Sequence, residues 1–143
     1  MAGLYLGSSL IGRTFPAADT LGEWGDRSFR ATLVGVPTLL ILQRGLGGSR
    51  PNDINGTSDW SFWNDDNGAS GHAFIGAIPF LSAAQMTDNQ FLKASLICAS
   101  TAVAWSRVND NDHFLSQSII GWMIAFTAVN AVEKTNDLSL IHI

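Results

Sequence analysis

The sequence predicts an all-α protein, a bundle of about four to five apolar helices forming a single domain over residues 1–143. Three observations carry this. Apolar residues gather in runs of about 15–20, none of which alternates with the period of two that a half-buried strand requires. Glycine and proline punctuate these runs instead of recurring every few residues, as they would in an all-β chain. Hydrophobic residues make up 46% of the chain and charged residues 14%, against about 25% charged in ordinary soluble domains. So little charge leaves much of the surface with nothing to offer water. With a mean hydropathy of +0.17, a bilayer is the simplest surrounding solvent, and burial in an oligomer is the alternative.

Taken in order, residues 1–28 are rich in Gly, Asp and Arg and read as loop with room for one short helix. The start is mildly apolar but lacks the basic residues of a cleaved leader, so an apolar helix would direct the chain to a membrane. A first apolar run covers 29–46 and contains Pro37, which costs ~3 kcal/mol inside a soluble helix but is better tolerated in membrane helices. Residues 47–71, dense in Gly, Asn, Asp and Ser, form a loop long enough to suggest function. The second run, 72–86, contains Pro79; a polar turn at 87–90 leads to the third, 91–105. A short loop over 106–112 precedes the fourth run, 113–132, so the helical core is 29–133 and the tail, 134–143, receives no role. Lengths of 15–20 residues approach the ~20 needed to cross the hydrocarbon core.

Composition excludes some functions. A net charge of −4 provides no basic patch for nucleic acid, whose binding depends on clustered Lys and Arg. The single cysteine, Cys98, lies in an apolar run and reads as a small buried hydrophobe. The stretch 45–50 lacks the Gly-Lys-Ser/Thr ending of a phosphate loop. The acidic clusters at 64–67 and 109–112 fail the calcium-loop pattern and read as solvated loop, and no zinc-type histidine spacing is present. Asn55-Gly56-Thr57 is a formal glycosylation sequon. Trp60, Phe62 and Trp63 sit in the long loop, to rest at a membrane surface, cover a site or pack onto helix ends.

Three polar–apolar junctions each carry a basic or imidazole group. Arg50-Pro51 opens the long loop, Ser70-Gly71-His72 starts the second run, and Ser106-Arg107 precedes His113 at the fourth; His142 lies in the tail. Such a set suits a phosphoryl group. Arg50 and Arg107 can grip its oxygens bidentately. Ser70 offers a hydroxyl, and Gly71 a backbone amide at a helix N-terminus. A neutral His113 can attack phosphorus, while His72 protonates the leaving oxygen and later activates water. Gln117, one turn beyond His113, can accept its ring N–H.

The segments at 70–74 (SGHAF) and 106–113 (SRVNDNDH), with Arg50-Pro51 upstream, resemble the signatures of the type 2 phosphatidic acid phosphatase superfamily, which includes the vanadium-dependent haloperoxidases. The resemblance implies an acid phosphatase/vanadium haloperoxidase-like helical fold. It also implies a metal-independent phosphatase cleaving a phosphomonoester or pyrophosphate of a lipid through a phosphohistidine, with no cofactor and vanadate as a phosphate mimic. The departures are Gln43, beside Arg44, where the family has Lys; Ala69 for Pro; and Gln117 where an Asp often stands. Gln43 and Arg44 are thus left to supply the first signature's phosphate contacts. The expected partners are a lipid phosphate and a membrane, and bacterial relatives imply the inner membrane with the site facing outward. Two rivals share the fold: a phosphate-binding membrane protein of weak or no activity, favoured by Gln43 and Gln117, and a vanadium haloperoxidase. Family members commonly carry further helices before the first signature, which suggests an incomplete chain.

Overall fold

A computed structural model describes residues 1–14, 19–52 and 59–141. The order is α1 (Ala2–Thr14), α2 (Asp19–Leu46), α3 (Gly71–Gln85), α4 (Gln90–Ser100), α5 (Ala102–Asn109) and α6 (Leu115–Ile141). The described residues contain no strand, only one isolated antiparallel bridge between Gly48 and Trp60. The all-α expectation holds, with six helices among the described residues in place of the expected four to five or so.

The centre is α3, which packs against α2, α4, α5 and α6, while α1 lies against α2. Its apolar residues Ala73, Phe74, Gly76, Ala77, Ile78 and Leu81 are buried on nearly all sides, as a helix apolar all round should be. Leu39 from α2 and Ile124, Ala125, Ala128, Val129 and Val132 from α6 complete the core. Pro37 and Pro79 both lie inside helices. The Pro79 carbonyl accepts a hydrogen bond from Trp24 Nε1 at 3.0 Å, which joins α3 to α2. At the far end of the α2–α6 pair, Arg27 bonds Glu133 and also Glu23 at 2.6 Å, and Arg30 bonds Asn136 at 2.6 Å.

Four local expectations are corrected. Residues 2–14 and 19–28 are helical, in place of the expected loop with one short helix. The run 91–105 breaks at Thr101, whose Oγ1 bonds the Cys98 carbonyl at 2.7 Å, a side-chain bond that competes with helix continuation. The supposed loop at 106–112 begins inside α5, and the tail extends α6 to Ile141. Cys98 is exposed, because α4 buries only Ser100. The sequon at 55–57 and His142 lie outside the described residues.

Many large apolar side chains face outward: Leu33, Val34, Leu40 and Ile41 on α2, Phe91 and Leu92 on α4, and Leu115, Ile119, Met123 and Phe126 on α6. Among the described residues one stretch, Leu115–Asn136, is long and apolar enough to cross a membrane.

Candidate active site

At the C-terminal end of α2 and the N-terminal ends of α3 and α6 lies a cavity of about 370 Å³, lined by Gln43, Arg50, Asp66, Asn67, Gly71, His72, Ile75 and His113. Three junctions that are distant in sequence converge there. The α2–α3 loop is folded back onto α2 by Gly68 N–H to the Gln43 carbonyl at 3.1 Å and Trp63 N–H to the Arg44 carbonyl at 3.0 Å. Trp63 adopts φ 69°, a conformation that bulky residues rarely take. With Trp60 and Phe62 it is well exposed, and Trp60 borders a small cavity with Leu46 and Phe114 beside the ends of α2 and α6.

Ser70 caps α3, its Oγ accepting the Ala73 amide at 3.2 Å, so that Gly71 and His72 occupy the first turn, where backbone donors and the helix dipole favour an anion. The Ser70 hydroxyl is fully buried and does not line the cavity. Its amide donates to the Gln117 carbonyl at 2.9 Å, which fastens the start of α3 to the start of α6. Gly121 permits this closeness: a Cβ there would lie 2.2 Å from the Ser70 oxygen.

The His113 ring is buried, with Nδ1 at 3.0 Å from Gln117 Oε1. Two further contacts fix the protonation of this pair. Gln117 Nε2 donates to the Ser49 carbonyl at 2.8 Å, and Gln117 Oε1 accepts the Phe114 amide at 3.0 Å. A carbonyl can only accept and a backbone amide can only donate, so the orientation of the Gln117 amide is determined. Its oxygen must then accept from His113, which places the proton on Nδ1 and leaves Nε2 with its lone pair. Burial pushes the imidazole below the ordinary histidine range. The positive charges of Arg50 and His72 add to this, opposed by the Gln117 hydrogen bond and the Asp112 carboxylate. A neutral imidazole with a free Nε2 is the nucleophilic form.

Arg50 donates from Nε to Asn67 Oδ1 at 2.7 Å, and Asn67 donates in turn to Asp65 Oδ1 at 2.9 Å. The guanidinium is thus held, and among the described residues its terminal nitrogens make no hydrogen bond or ion pair. The cluster at 64–67, read from sequence as solvated loop, is therefore part of the cavity wall. Spacing alone could not reveal this. Gln43 lines the cavity and bonds the Ala69 carbonyl at 3.1 Å.

Arg107 is placed differently from the sequence expectation. It does not line the cavity; its terminal nitrogens bond Asp112 at 2.7 Å and Asp110 at 3.2 Å, and its buried Nε has no partner among the described residues. The second acidic cluster, at 109–112, supplies these carboxylates. Arg44 is exposed and also lies outside the lining. The structure therefore brings together His72, His113, Gln117, Arg50, Gly71 and Gln43, and sets Arg107, Arg44 and the Ser70 hydroxyl apart.

The PAP2 superfamily model matches residues 29–137, well over half of the chain. No curated protein and no solved structure matches.

Proposed function

The chain belongs to the PAP2 superfamily, membership that supports phosphatase activity on phosphoesters, and we propose that it hydrolyses the phosphomonoester or pyrophosphate of a lipid through a phosphohistidine on His113. The observation that supports this most directly is the His113–Gln117–Ser49 chain of hydrogen bonds, which presents a neutral imidazole with Nε2 unprotonated on the cavity wall.

In the first step His113 Nε2 forms a bond to phosphorus as the bond to the leaving oxygen breaks, and a protonated His72 gives that oxygen its proton. Arg50 and the amides of the first turn of α3 neutralise the equatorial oxygens. Water then attacks phosphorus, His72 takes its proton, and the N–P bond breaks to release inorganic phosphate. None of these steps calls on a metal, and we propose turnover that persists in chelator. Vanadate fits the same donors, an imidazole nitrogen and a guanidinium, and would inhibit. The exposed apolar helix faces support a membrane setting and hence a lipid substrate.

The test is phosphate release from phosphatidic acid in mixed micelles by the purified chain, with acid-labile phosphate trapped on the protein. His113→Ala should abolish both signals. Activity that survives that substitution would overturn the mechanism. A second reading, phosphate binding without turnover, is favoured by the ion-paired Arg107 and by Gln43 at the family's Lys position. Vanadate binding with no release from any phosphoester would select it.

A further inference from the structure

We infer that the cavity selects phosphoesters carrying a cationic amine close to the phosphate, with Asp66 as the group that recognises it; this rests on the phosphohydrolase reading above. Two carboxylates adjoin the Arg50 anchor. Asp65 is occupied, since its Oδ1 accepts from Asn67 and from the Asp66 amide, both at 2.9 Å. Asp66 lines the cavity itself, and its carboxylate has no hydrogen bond or ion pair among the described residues.

An unpaired carboxylate on the wall of an anion site is costly for a simple phosphate, since like charges within a few ångströms repel. Charge neutrality shows what would relieve it. A phosphomonoester carries close to two negative charges at neutral pH. Arg50 and a protonated His72 offset them, the His113 ring is neutral, and Gln43 adds nothing where a lysine would have added a charge. Asp65, whose charge its neutral hydrogen-bond donors do not cancel, and Asp66 then leave negative charge in excess. An ammonium group on the alcohol side of the ester offsets part of it and finds a partner in Asp66, which is exposed on the cavity wall. Because Asp66 is exposed, the effect is bounded by that of a surface ion pair, roughly two- to fivefold in affinity.

The probes are 2-aminoethyl phosphate and propyl phosphate, which have the same shape and differ by the ammonium. Their long-chain counterparts, a 2-aminoalkyl phosphate and an alkyl phosphate in mixed micelles, determine whether the amine belongs to a small molecule or to a lipid. Affinities for the detergent-solubilised full chain should favour the amine two- to fivefold at low ionic strength in at least one pair. That preference should vanish in Asp66→Asn and weaken above about 0.5 M salt, where screening shortens to a few ångströms. Equal affinities in both wild-type pairs, or a preference that survives Asp66→Asn, would overturn the assignment. So would an Asp66→Asn loss of turnover shared equally by amine and neutral esters, which would make Asp66 a proton relay. Binding decides this inference independently of phosphate release, whose absence from all four esters would instead remove the phosphohydrolase reading.

Discussion

Gln117 does with an amide what a carboxylate would do for tautomer, but not for charge. Its oxygen holds the Nδ1 proton of His113, while its nitrogen is tied to the Ser49 carbonyl. Gln117→Leu should therefore reduce kcat between about 10-fold and 10⁴-fold, the range set by losing the correct tautomer, with little change in KM; steady-state kinetics at fixed pH would show it. Gln117→Glu keeps the size and adds a charge that favours the imidazolium. In the wild type, burial and then Arg50 and His72 depress the His113 pKa, so the imidazole stays neutral below the usual histidine range, and under the proposed mechanism the acid limb of kcat/KM should lie at low pH. The carboxylate in Gln117→Glu should move that limb to higher pH. A limb that stays fixed would mean His113 is not the group titrating. The linked stability follows the same sign. A depressed histidine contributes stability above its unfolded pKa of about 6.5, and that contribution is lost as pH falls through the folded value. Asn67 belongs to the same scale, as a positioning residue: Asn67→Ala frees Arg50 and should weaken vanadate inhibition several-fold while costing about 1 kcal/mol of stability, one hydrogen bond's worth, readable as a Ki and a thermal midpoint. The sequence made the His113–Gln117 pair legible because four residues on a helix fix who meets whom. It could not reveal Asn67 or Asp66, whose place depends on how a long loop folds back on α2.

At the scale of elements, the site depends on the close approach of α3 and α6. Gly121 lies where a Cβ would strike the Ser70 backbone oxygen at 2.2 Å. The obstacle is backbone, so it cannot swing aside as a side chain would. Gly121→Ala should cost more than about 2 kcal/mol, by the overpacking range, and should lower activity beyond what the lost stability explains, because the Ser70–Gln117 link ties the start of α3, which carries His72, to the start of α6 beside His113. Denaturant unfolding alongside kinetics on the folded fraction would separate the two effects. The same small residues explain what the sequence hid in its first 28 positions. Gly22, Gly25 and Ser28 are buried on α2, and a Cβ at Gly25 would lie 2.1 Å from Ser8 Oγ on α1. A composition that looks like loop is here a seam that lets two helices touch, as small residues do between membrane helices. Periodicity of large apolar residues does not register such a seam.

For the whole molecule, the question is which medium covers the outward apolar faces. Leu115, Ile119 and Met123 follow each other at four-residue intervals on α6 with Phe126 beside them, and all four are exposed. Burying each contributes on the order of 1.5–3 kcal/mol, so leaving the stripe in water would cost a large share of a typical domain's stability. The stripe lies within Leu115–Asn136, a 22-residue stretch of mean hydropathy 1.4, while His113, just before it, lines the cavity. A membrane would thus end near the level of the cavity, with the exposed Trp60, Phe62 and Trp63 on the loop that also walls the cavity, at the interfacial depth that aromatic residues favour. The expected outcome is that the expressed chain stays with the membrane fraction through an alkaline carbonate wash and leaves it only in detergent. Release by the wash as a large soluble assembly would show instead that copies of the chain cover one another's apolar faces, and the substrate would then have to reach the cavity from water.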